Sequence, residues 1–149
     1  ARIHTVGRDP ERTPMQWDNT KNAGFGTGTP WLPVNDNYKK INVVAQEKDP
    51  HSELNHFKKM VQLRKDHPVL VYGKYTLLQK EHPDVYAYTR EHDGKKVLVV
   101  LNFTEKKTVI QMPEAGNVGE TLINNYDHFS IRKNEILLLP YQALIFELK

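Results

Sequence analysis

Residues 8–17 read Arg8-Asp9-Pro10-Glu11-Arg12-Thr13-Pro14-Met15-Gln16-Trp17, and two motifs follow closely, Asn22-Ala23-Gly24-Phe25 and Pro30-Trp31-Leu32-Pro33-Val34-Asn35. Proline fixes φ, and glycine adopts φ values that other residues avoid, so both limit regular structure. The motifs show neither the period of a helix nor the alternation of a strand. They predict a structured loop that a larger body holds in place.

The composition of the chain is that of an ordinary folded protein. It has 149 residues, of which 38% are hydrophobic, enough for one core. The 21 basic residues are offset by 18 acidic ones, and lysine pairs such as Lys39-Lys40 are isolated. This pattern favours solvated lysines over a nucleic-acid surface, so we expect no nucleic-acid partner.

The chain contains no cysteine. Disulfides, thiolate nucleophiles and cysteine-ligated zinc are therefore excluded, and the composition fits a reducing compartment, so we expect a cytoplasmic location. No apolar run approaches the roughly 20 residues of a membrane helix, and we expect no membrane partner.

One amphipathic helix is predicted within residues 49–67. Asp49 can cap it, with Pro50 at the first helical position, and Pro68 makes it end near Asp66. Apolar residues recur at three- and four-residue spacing, which predicts an apolar face that needs a partner surface: Leu54, Phe57, Met60 and Val61.

From residue 69 onward the pattern alternates with period two and is rich in β-branched and aromatic residues. Asp93-Gly94 is a strong signal for a two-residue hairpin turn. The fold class predicted is mainly β, an antiparallel β-sandwich of Greek-key type. The predicted strands are 75–79, 85–92, 95–103, 107–112, 121–124, 135–139 and 143–148.

Residue patterns for metal or nucleophilic chemistry are weak. The seven histidines are scattered, and we predict no metal site and no cofactor. The two serines, Ser52 and Ser130, lack a nucleophile-elbow context. Residues 24–28 are glycine-rich but do not join a strand to a helix, which favours an ordinary loop over a phosphate cradle.

Asn102-Phe103-Thr104 fits a glycosylation sequon without a secretory signal to support it.

Arg8 and Arg12 form a charged cluster with Asp9 and Glu11 beside Trp17. The cluster fits ion pairs that fix the loop, and it also fits guanidinium groups that bind a hydroxyl-rich ligand. Residue chemistry alone leaves both interpretations open.

The three motifs quoted first resemble the segment after the eighth barrel strand of α-glucosidases and oligo-1,6-glucosidases in the α-amylase superfamily, glycoside hydrolase family 13. The similarity continues through Asp49-Pro50-His51-Ser52 and Leu63-Arg64-Lys65 to Leu101-Asn102-Phe103, and it covers about residues 8–103. It implies that residues 1–68 are the end of a (β/α)₈ barrel, with an active-site loop (1–48) and the last barrel helix (49–67). Residues 69–149 would be the C-terminal β domain.

The resemblance implies retaining hydrolysis of α-1,4- or α-1,6-glucosidic bonds in short oligosaccharides. Family members use an Asp nucleophile, a Glu acid/base and a third Asp on earlier barrel strands, and no segment here matches those motifs. We therefore assign no catalytic residue to the chain and expect it to be inactive alone. Its partners would be the oligosaccharide and the N-terminal barrel.

One sugar contact is implied by the same resemblance. In the family an arginine of this loop binds the terminal glucose, and we favour Arg12 over Arg8. Trp17, Phe25 and Trp31 are candidates for the pocket wall, although packing within the loop is the alternative use of these rings.

Two other functions fit the same resemblance. The parent protein could be a non-catalytic relative, such as the glycoprotein subunit of an amino-acid transporter. The chain could instead be an independent carbohydrate-binding β module, which we disfavour because the predicted strands show no obvious exposed aromatic row. Within the enzyme interpretation, maltose, isomaltose, trehalose 6-phosphate and sucrose remain open as substrates.

Overall fold

The computed structural model describes residues 9–112 and 118–149. The chain divides into two compact units, residues 1–62 and 63–149. Its helices are α1 (Val43–Lys48), α2 (Glu53–Asp66) and α3 (Val69–Tyr72), with 3-10 helices at Asp9–Arg12, Lys21–Gly24 and Asp36–Lys39. Within the described part of the chain, no helix is both long and apolar enough to cross a membrane.

The described residues of the first unit are mostly irregular, as predicted, but they include a helix that the sequence did not reveal. α1 begins after Asn42, whose side chain accepts a hydrogen bond from the Ala45 amide at 2.9 Å. Asn42 is buried, and its own amide donates to the Tyr38 carbonyl at 2.8 Å. One short polar side chain therefore starts this helix.

The predicted start of the following helix was wrong. α2 begins at Glu53, because Ser52 rather than Asp49 provides the cap: Ser52 Oγ accepts from the Asn55 amide at 3.2 Å. The Asp49 carboxylate instead accepts from the His51 amide at 2.9 Å, which forms a local turn. The predicted end at Asp66 is confirmed.

The second unit is a sandwich of two antiparallel sheets, so the predicted fold class is confirmed. One sheet has the strand order β1-β2-β3-β8-β5, and the other has the order β4-β7-β6. Their bounds are β1 (Lys74–Leu78), β2 (Val85–His92), β3 (Lys95–Asn102), β4 (Thr108–Gln111), β5 (Val118–Asn124), β6 (Ser130–Arg132), β7 (Glu135–Leu138) and β8 (Ala143–Leu148).

The main core lies between the two sheets. The five-stranded sheet contributes apolar side chains from β2, β3 and β8, and the three-stranded sheet contributes residues of β4 and β7. Burial of apolar surface of this kind is the main force that holds a sandwich together. The buried cluster is Val85, Ala87, Leu98, Val100, Ile110, Met112, Ile136, Leu138, Leu144 and Phe146.

The opposite face of the five-stranded sheet is only partly covered. β3 is buried on both faces, since Val97 and Val99 are buried as fully as their neighbours in the main core. α3 contacts β2 and β3 and buries Leu70. The Leu70 carbonyl accepts from Arg90 Nη1 at 2.7 Å and from Arg64 Nη1 at 3.2 Å.

Most strands lie where the alternation placed them. β2 and β8 have the predicted bounds, and Asp93 and Gly94 have φ values of 48° and 72°, as the hairpin turn requires. β6 was missed, because its three residues are too few to show a period.

Asn102 is a structural residue. It is 4% exposed, and Nδ2 donates to the carbonyls of Lys106 (2.7 Å) and Leu139 (2.8 Å), while Oδ1 accepts from the Thr104 amide at 3.0 Å. Both amide protons are used, so the sequon interpretation does not fit this asparagine.

Candidate functional site

A left-handed turn organises the loop after Trp17. Asn22, Ala23 and Gly24 have φ values of 56°, 57° and 68°, and Ala23 is fully buried. The Ala23 carbonyl accepts from the Trp17 amide at 2.9 Å and from the Asp18 amide at 3.2 Å. The two arms of the turn are therefore joined through the backbone.

The glycine-rich segment after this turn is held through its carbonyls. Asn22 Nδ2 donates to the carbonyls of Gly26 and Gly28 at 3.0 and 2.7 Å. A phosphate cradle presents several backbone N–H groups to one point, whereas here carbonyl oxygens converge on a side-chain amide. This arrangement supports the interpretation as an ordinary loop.

Asp18 closes the same turn. Its carboxylate accepts from the Thr20 hydroxyl at 2.5 Å and from the Thr20 amide at 2.8 Å. These hydrogen bonds, the side-chain one first, lower the pKa of Asp18 below its ordinary value. A Cβ at Gly24 would lie 2.7 Å from this carboxylate, so the turn requires glycine there.

The segment before the turn is tied to the start of α1. The Gln16 carbonyl accepts from the Val43 amide at 2.9 Å, and the Trp17 carbonyl accepts from the Val44 amide at 3.0 Å. Gln16 Nε2 also donates to the Ile41 carbonyl. These hydrogen bonds hold residues 16–17 against the start of α1 within the first unit.

A second network joins α1 to the first turn of α2. The Gln46 carbonyl accepts from Ser52 Oγ at 2.6 Å and from Asn55 Nδ2 at 2.9 Å. Gln46 Oε1 accepts from the Leu54 amide at 3.0 Å. A cavity of about 410 Å³ lies between residues 13–16, residues 41–43 and Leu54.

The predicted sugar-contacting arginine lies on an aromatic ring. The Arg12 guanidinium carbon is 5.1 Å from the centroid of the Trp31 ring. This distance is that of a cation–π contact. Arg8, the second candidate, lies outside the described residues.

The three candidate wall residues are all exposed within the chain. Trp17 is 49% exposed, Phe25 is 55% exposed and Trp31 is 80% exposed. The structure brings Trp31 to Arg12, whereas Trp17 and Phe25 lie at the left-handed turn.

Sequence reasoning missed a second aromatic group, which we call the tyrosine cluster: Tyr75 of β1 with Tyr86 and Tyr88 of β2. The Tyr88 ring lies 5.1 Å from that of Tyr75 and 5.5 Å from that of Tyr86. Tyr75 is 43% exposed and Tyr86 is 40% exposed. The expectation that the strands carry no exposed aromatic row was therefore wrong, because the β1–β2 register, which sequence does not give, brings these rings together.

The hydroxyls of the tyrosine cluster have altered acidity. The Tyr75 and Tyr86 oxygens are 2.8 Å apart, and this hydrogen bond raises the pKa of Tyr75 to about 12. Burial is the main cause that raises the pKa of Tyr88. Among the described residues, no group of three or more His, Cys, Asp or Glu side chains could hold a metal.

Comparison with known proteins identifies the family. Residues 1–73 match the family model "Alpha amylase, catalytic domain", and residues 85–145 match "Alpha-amylase SusG C-terminal domain". The chain belongs to the α-amylase family. The two matches are separated by residues 74–84, where the first strand of the sandwich lies.

Curated members of the family resemble the chain over its whole length. An oligo-1,6-glucosidase from Parageobacillus thermoglucosidasius is 44% identical over 99% of this chain and 27% of its own length. A trehalose-6-phosphate hydrolase from Bacillus subtilis (strain 168) is 35% identical over the same shares. The chain thus spans about a quarter of the length of the relatives it matches.

Solved structures of the family share the fold. An isomaltulose synthase variant from Erwinia rhapontici NX5, in complex with sucrose, is 40% identical with a TM-score of 0.88 and covers 99% of this chain and 27% of that one. A trehalulose synthase from Pseudomonas mesoacidophila MX-45 is 37% identical with a TM-score of 0.89, over the same shares.

Proposed function

We propose that the chain is the C-terminal portion of an α-glucosidase that hydrolyses α-1,4- or α-1,6-glucosidic bonds of short oligosaccharides with retention. The observation that carries this proposal is the 44% identity to an oligo-1,6-glucosidase over 99% of the chain. The two family-model matches, which follow each other along the sequence, support the same assignment.

The proposed division of the chain has residues 1–68 as the end of the catalytic barrel and residues 69–149 as the C-terminal β domain. Residues 1–48 would form the active-site loop, and residues 49–67, which contain α2, would include the last barrel helix. The catalytic-domain match through residue 73 supports this division. Phe57 on the apolar face of α2 is 66% exposed, as expected of a helix whose packing surface lies in the rest of the barrel.

The catalytic carboxylates belong, in this proposal, to the part of the enzyme outside the chain. A retaining glycosidase needs two carboxyl groups about 5 Å apart across the scissile bond. The Asp18 carboxylate in the loop is instead occupied by two hydrogen bonds from Thr20. The chain alone would therefore lack hydrolytic activity.

The contribution of the chain to the substrate pocket would be Arg12. Its guanidinium carbon lies 5.1 Å from the centroid of the Trp31 ring, so the sugar contact would lie beside an aromatic side chain. Trp17 and Phe25 would form part of the pocket wall. Arg8 is the alternative sugar contact.

The proposal is tested by assaying the 149-residue chain and the full protein encoded by its gene on 4-nitrophenyl α-glucoside. We expect turnover by the full protein and none by the chain above a mock preparation. Maltose, isomaltose, trehalose 6-phosphate and sucrose, assayed in parallel, would then define the substrate. An inactive full protein would favour the non-catalytic alternative and contradict the proposal.

A further inference from the structure

The helix α1 is too short to be stable by itself. It has six residues, whereas isolated helices shorter than roughly 12 residues are only marginally stable in water. The first amides and the last carbonyls of any helix have no partner within the helix, so other groups must bind them. In α1 these groups come from two different parts of the first unit.

The amino end of α1 holds the segment that follows Arg12. The Val43 amide donates to the Gln16 carbonyl at 2.9 Å, and the Val44 amide donates to the Trp17 carbonyl at 3.0 Å. Both donors belong to the first turn of the helix, where no helical carbonyl can accept from them. The backbone of the loop is therefore bound to the end of a helix.

The link from this bound segment to Arg12 is short and stiff. It contains Pro14, which is buried and whose ring fixes φ. Glu11 and Thr13, the neighbours of Arg12, line the same cavity as Gln46 of α1. A displacement of α1 would therefore move the residues on both sides of Arg12.

The carboxyl end of α1 is held by the partly buried Asn55 of α2. Asn55 Nδ2 donates to the Gln46 carbonyl at 2.9 Å and to the Asp49 carbonyl at 2.8 Å. A longer hydrogen bond, at 3.3 Å, reaches the Glu47 carbonyl. Ser52 Oγ donates to the Gln46 carbonyl as well, at 2.6 Å. One amide group of α2 therefore binds the last turn of α1 and the residue that follows it.

We propose that Asn55 is a positioning residue for the sugar contact of Arg12 and that it acts through α1. The inference rests on the proposed function. Asn55 holds one end of α1, and the other end of α1 holds the backbone beyond Arg12. Without the Asn55 amide, α1 and the bound loop would move together, so the guanidinium would no longer meet the sugar in one orientation.

Steady-state kinetics of the full protein with 4-nitrophenyl α-glucoside test this inference. Asn55→Ala should lower kcat/KM by about 3- to 10-fold, as expected for the loss of one or two hydrogen bonds. Asn55→Asp keeps the size of the side chain without its donors and should lose at least as much. Lys59→Ala, at an exposed position of the same helix, is the control and should keep the wild-type kcat/KM. Wild-type kcat/KM in either Asn55 variant would overturn the proposal.

A double-mutant cycle separates positioning from a general loss of stability. In the Arg12→Ala background, Asn55→Ala should change kcat/KM by less than about 2-fold, because the group that Asn55 positions is gone. The same loss in both backgrounds would show that Asn55 supports only the fold, which contradicts the proposal. An inactive wild-type protein would instead contradict the proposed function.

Hydrogen exchange of the full protein gives a readout that does not depend on activity. Peptides that cover residues 43–48 should exchange several-fold faster in Asn55→Ala than in the wild type, and peptides that cover residues 95–102 of the sandwich should not change. Should Asn55→Ala fail to fold, Ser52→Ala, which removes another donor to the Gln46 carbonyl, serves for the same comparisons. Unchanged exchange at residues 43–48, or faster exchange in both regions, would refute the role of Asn55.

Discussion

The guanidinium of Arg12 lies over the indole ring of Trp31, with its central carbon 5.1 Å from the ring centroid. The two residues are separated by the whole left-handed turn, so the folded loop alone brings them together. In the proposed pocket, the Trp31 ring would help to position the Arg12 cation for the sugar contact.

Replacing Arg12 should weaken catalysis by the full enzyme. A hydrogen bond from a charged group contributes about 1.5–3 kcal/mol, so Arg12→Ala should lower kcat/KM for 4-nitrophenyl α-glucoside by about 10- to 100-fold. Arg132→Ala, on an exposed strand position of the sandwich, is the matched control and should leave kcat/KM unchanged. If Arg8→Ala shows the large loss and Arg12→Ala shows none, the sugar contact is Arg8.

Truncation of Trp31 should have a smaller effect in the same direction. An exposed cation–π contact contributes about 0.5–1 kcal/mol, so Trp31→Ala should reduce kcat/KM by about 2- to 5-fold. Trp31→Phe, which keeps an aromatic face, should recover part of the loss. The double variant with Arg12→Ala should lose no more than Arg12→Ala alone; additive losses would show that Trp31 acts independently of Arg12.

Gly24→Ala should destabilise the loop of the first unit. The residue has a φ of 68°, where a side chain costs about 1–2 kcal/mol, and the new Cβ would meet the Asp18 carboxylate at 2.7 Å. Both tryptophans, Trp17 and Trp31, belong to this unit, so tryptophan fluorescence during urea unfolding reports on it alone. Gly26→Ala is the control, since nothing lies within 4 Å of its Cβ position. Equal midpoints for the two variants would argue against the turn as described.

The sequence predicted those elements whose signals are local. Alternation defined β2 and β8, and Asp93-Gly94 defined the turn between β2 and β3, because side-chain direction and positive φ depend on neighbouring residues. The start of α2 was misplaced, because Asp49 and Ser52 are both good caps and the choice depends on the Ser52 contact with the Gln46 carbonyl.

The contacts of the candidate site could not be predicted in the same way. Arg12 and Trp31 are distant in sequence, and Tyr75 meets Tyr88 only through the strand register. Such pairs depend on the path of the chain rather than on local preference. The residue types could be named from the sequence, but their partners could not.

Asn102→Asp should destabilise the sandwich. The change replaces two amide donors with a carboxylate that faces the Lys106 and Leu139 carbonyls in a buried position. Unsatisfied buried groups cost about 1–3 kcal/mol and charged ones more, so the free energy of unfolding should fall by at least about 2 kcal/mol. Circular dichroism during urea unfolding measures this free energy. Asn125→Asp, at an exposed site with one donated hydrogen bond, is the control and should lose less.

Alkaline pH should destabilise the second unit through Tyr75. Its hydrogen bond to Tyr86 raises the folded-state pKa to about 12 from the ordinary value of 10.0. The contribution to stability is therefore complete below pH 10 and is lost as the pH rises through 12, because the unfolded chain releases the proton first. Tyrosinate absorbance should show a tyrosine that titrates near pH 12 in the wild-type chain, and Tyr86→Phe should have one late-titrating tyrosine fewer. The control Tyr141→Phe should keep the late titration, and its loss there would contradict the assignment.

We propose that this chain forms part of a retaining α-glucosidase whose catalytic carboxylates lie elsewhere in the enzyme. The most direct measurement is proton NMR of the glucose first released from 4-nitrophenyl α-glucoside by the full protein, with the 149-residue chain run beside it. We predict that the full protein releases the α-anomer first, before mutarotation, and that the chain releases no glucose. Initial release of the β-anomer, no release by the full protein, or release by the chain alone would contradict the account.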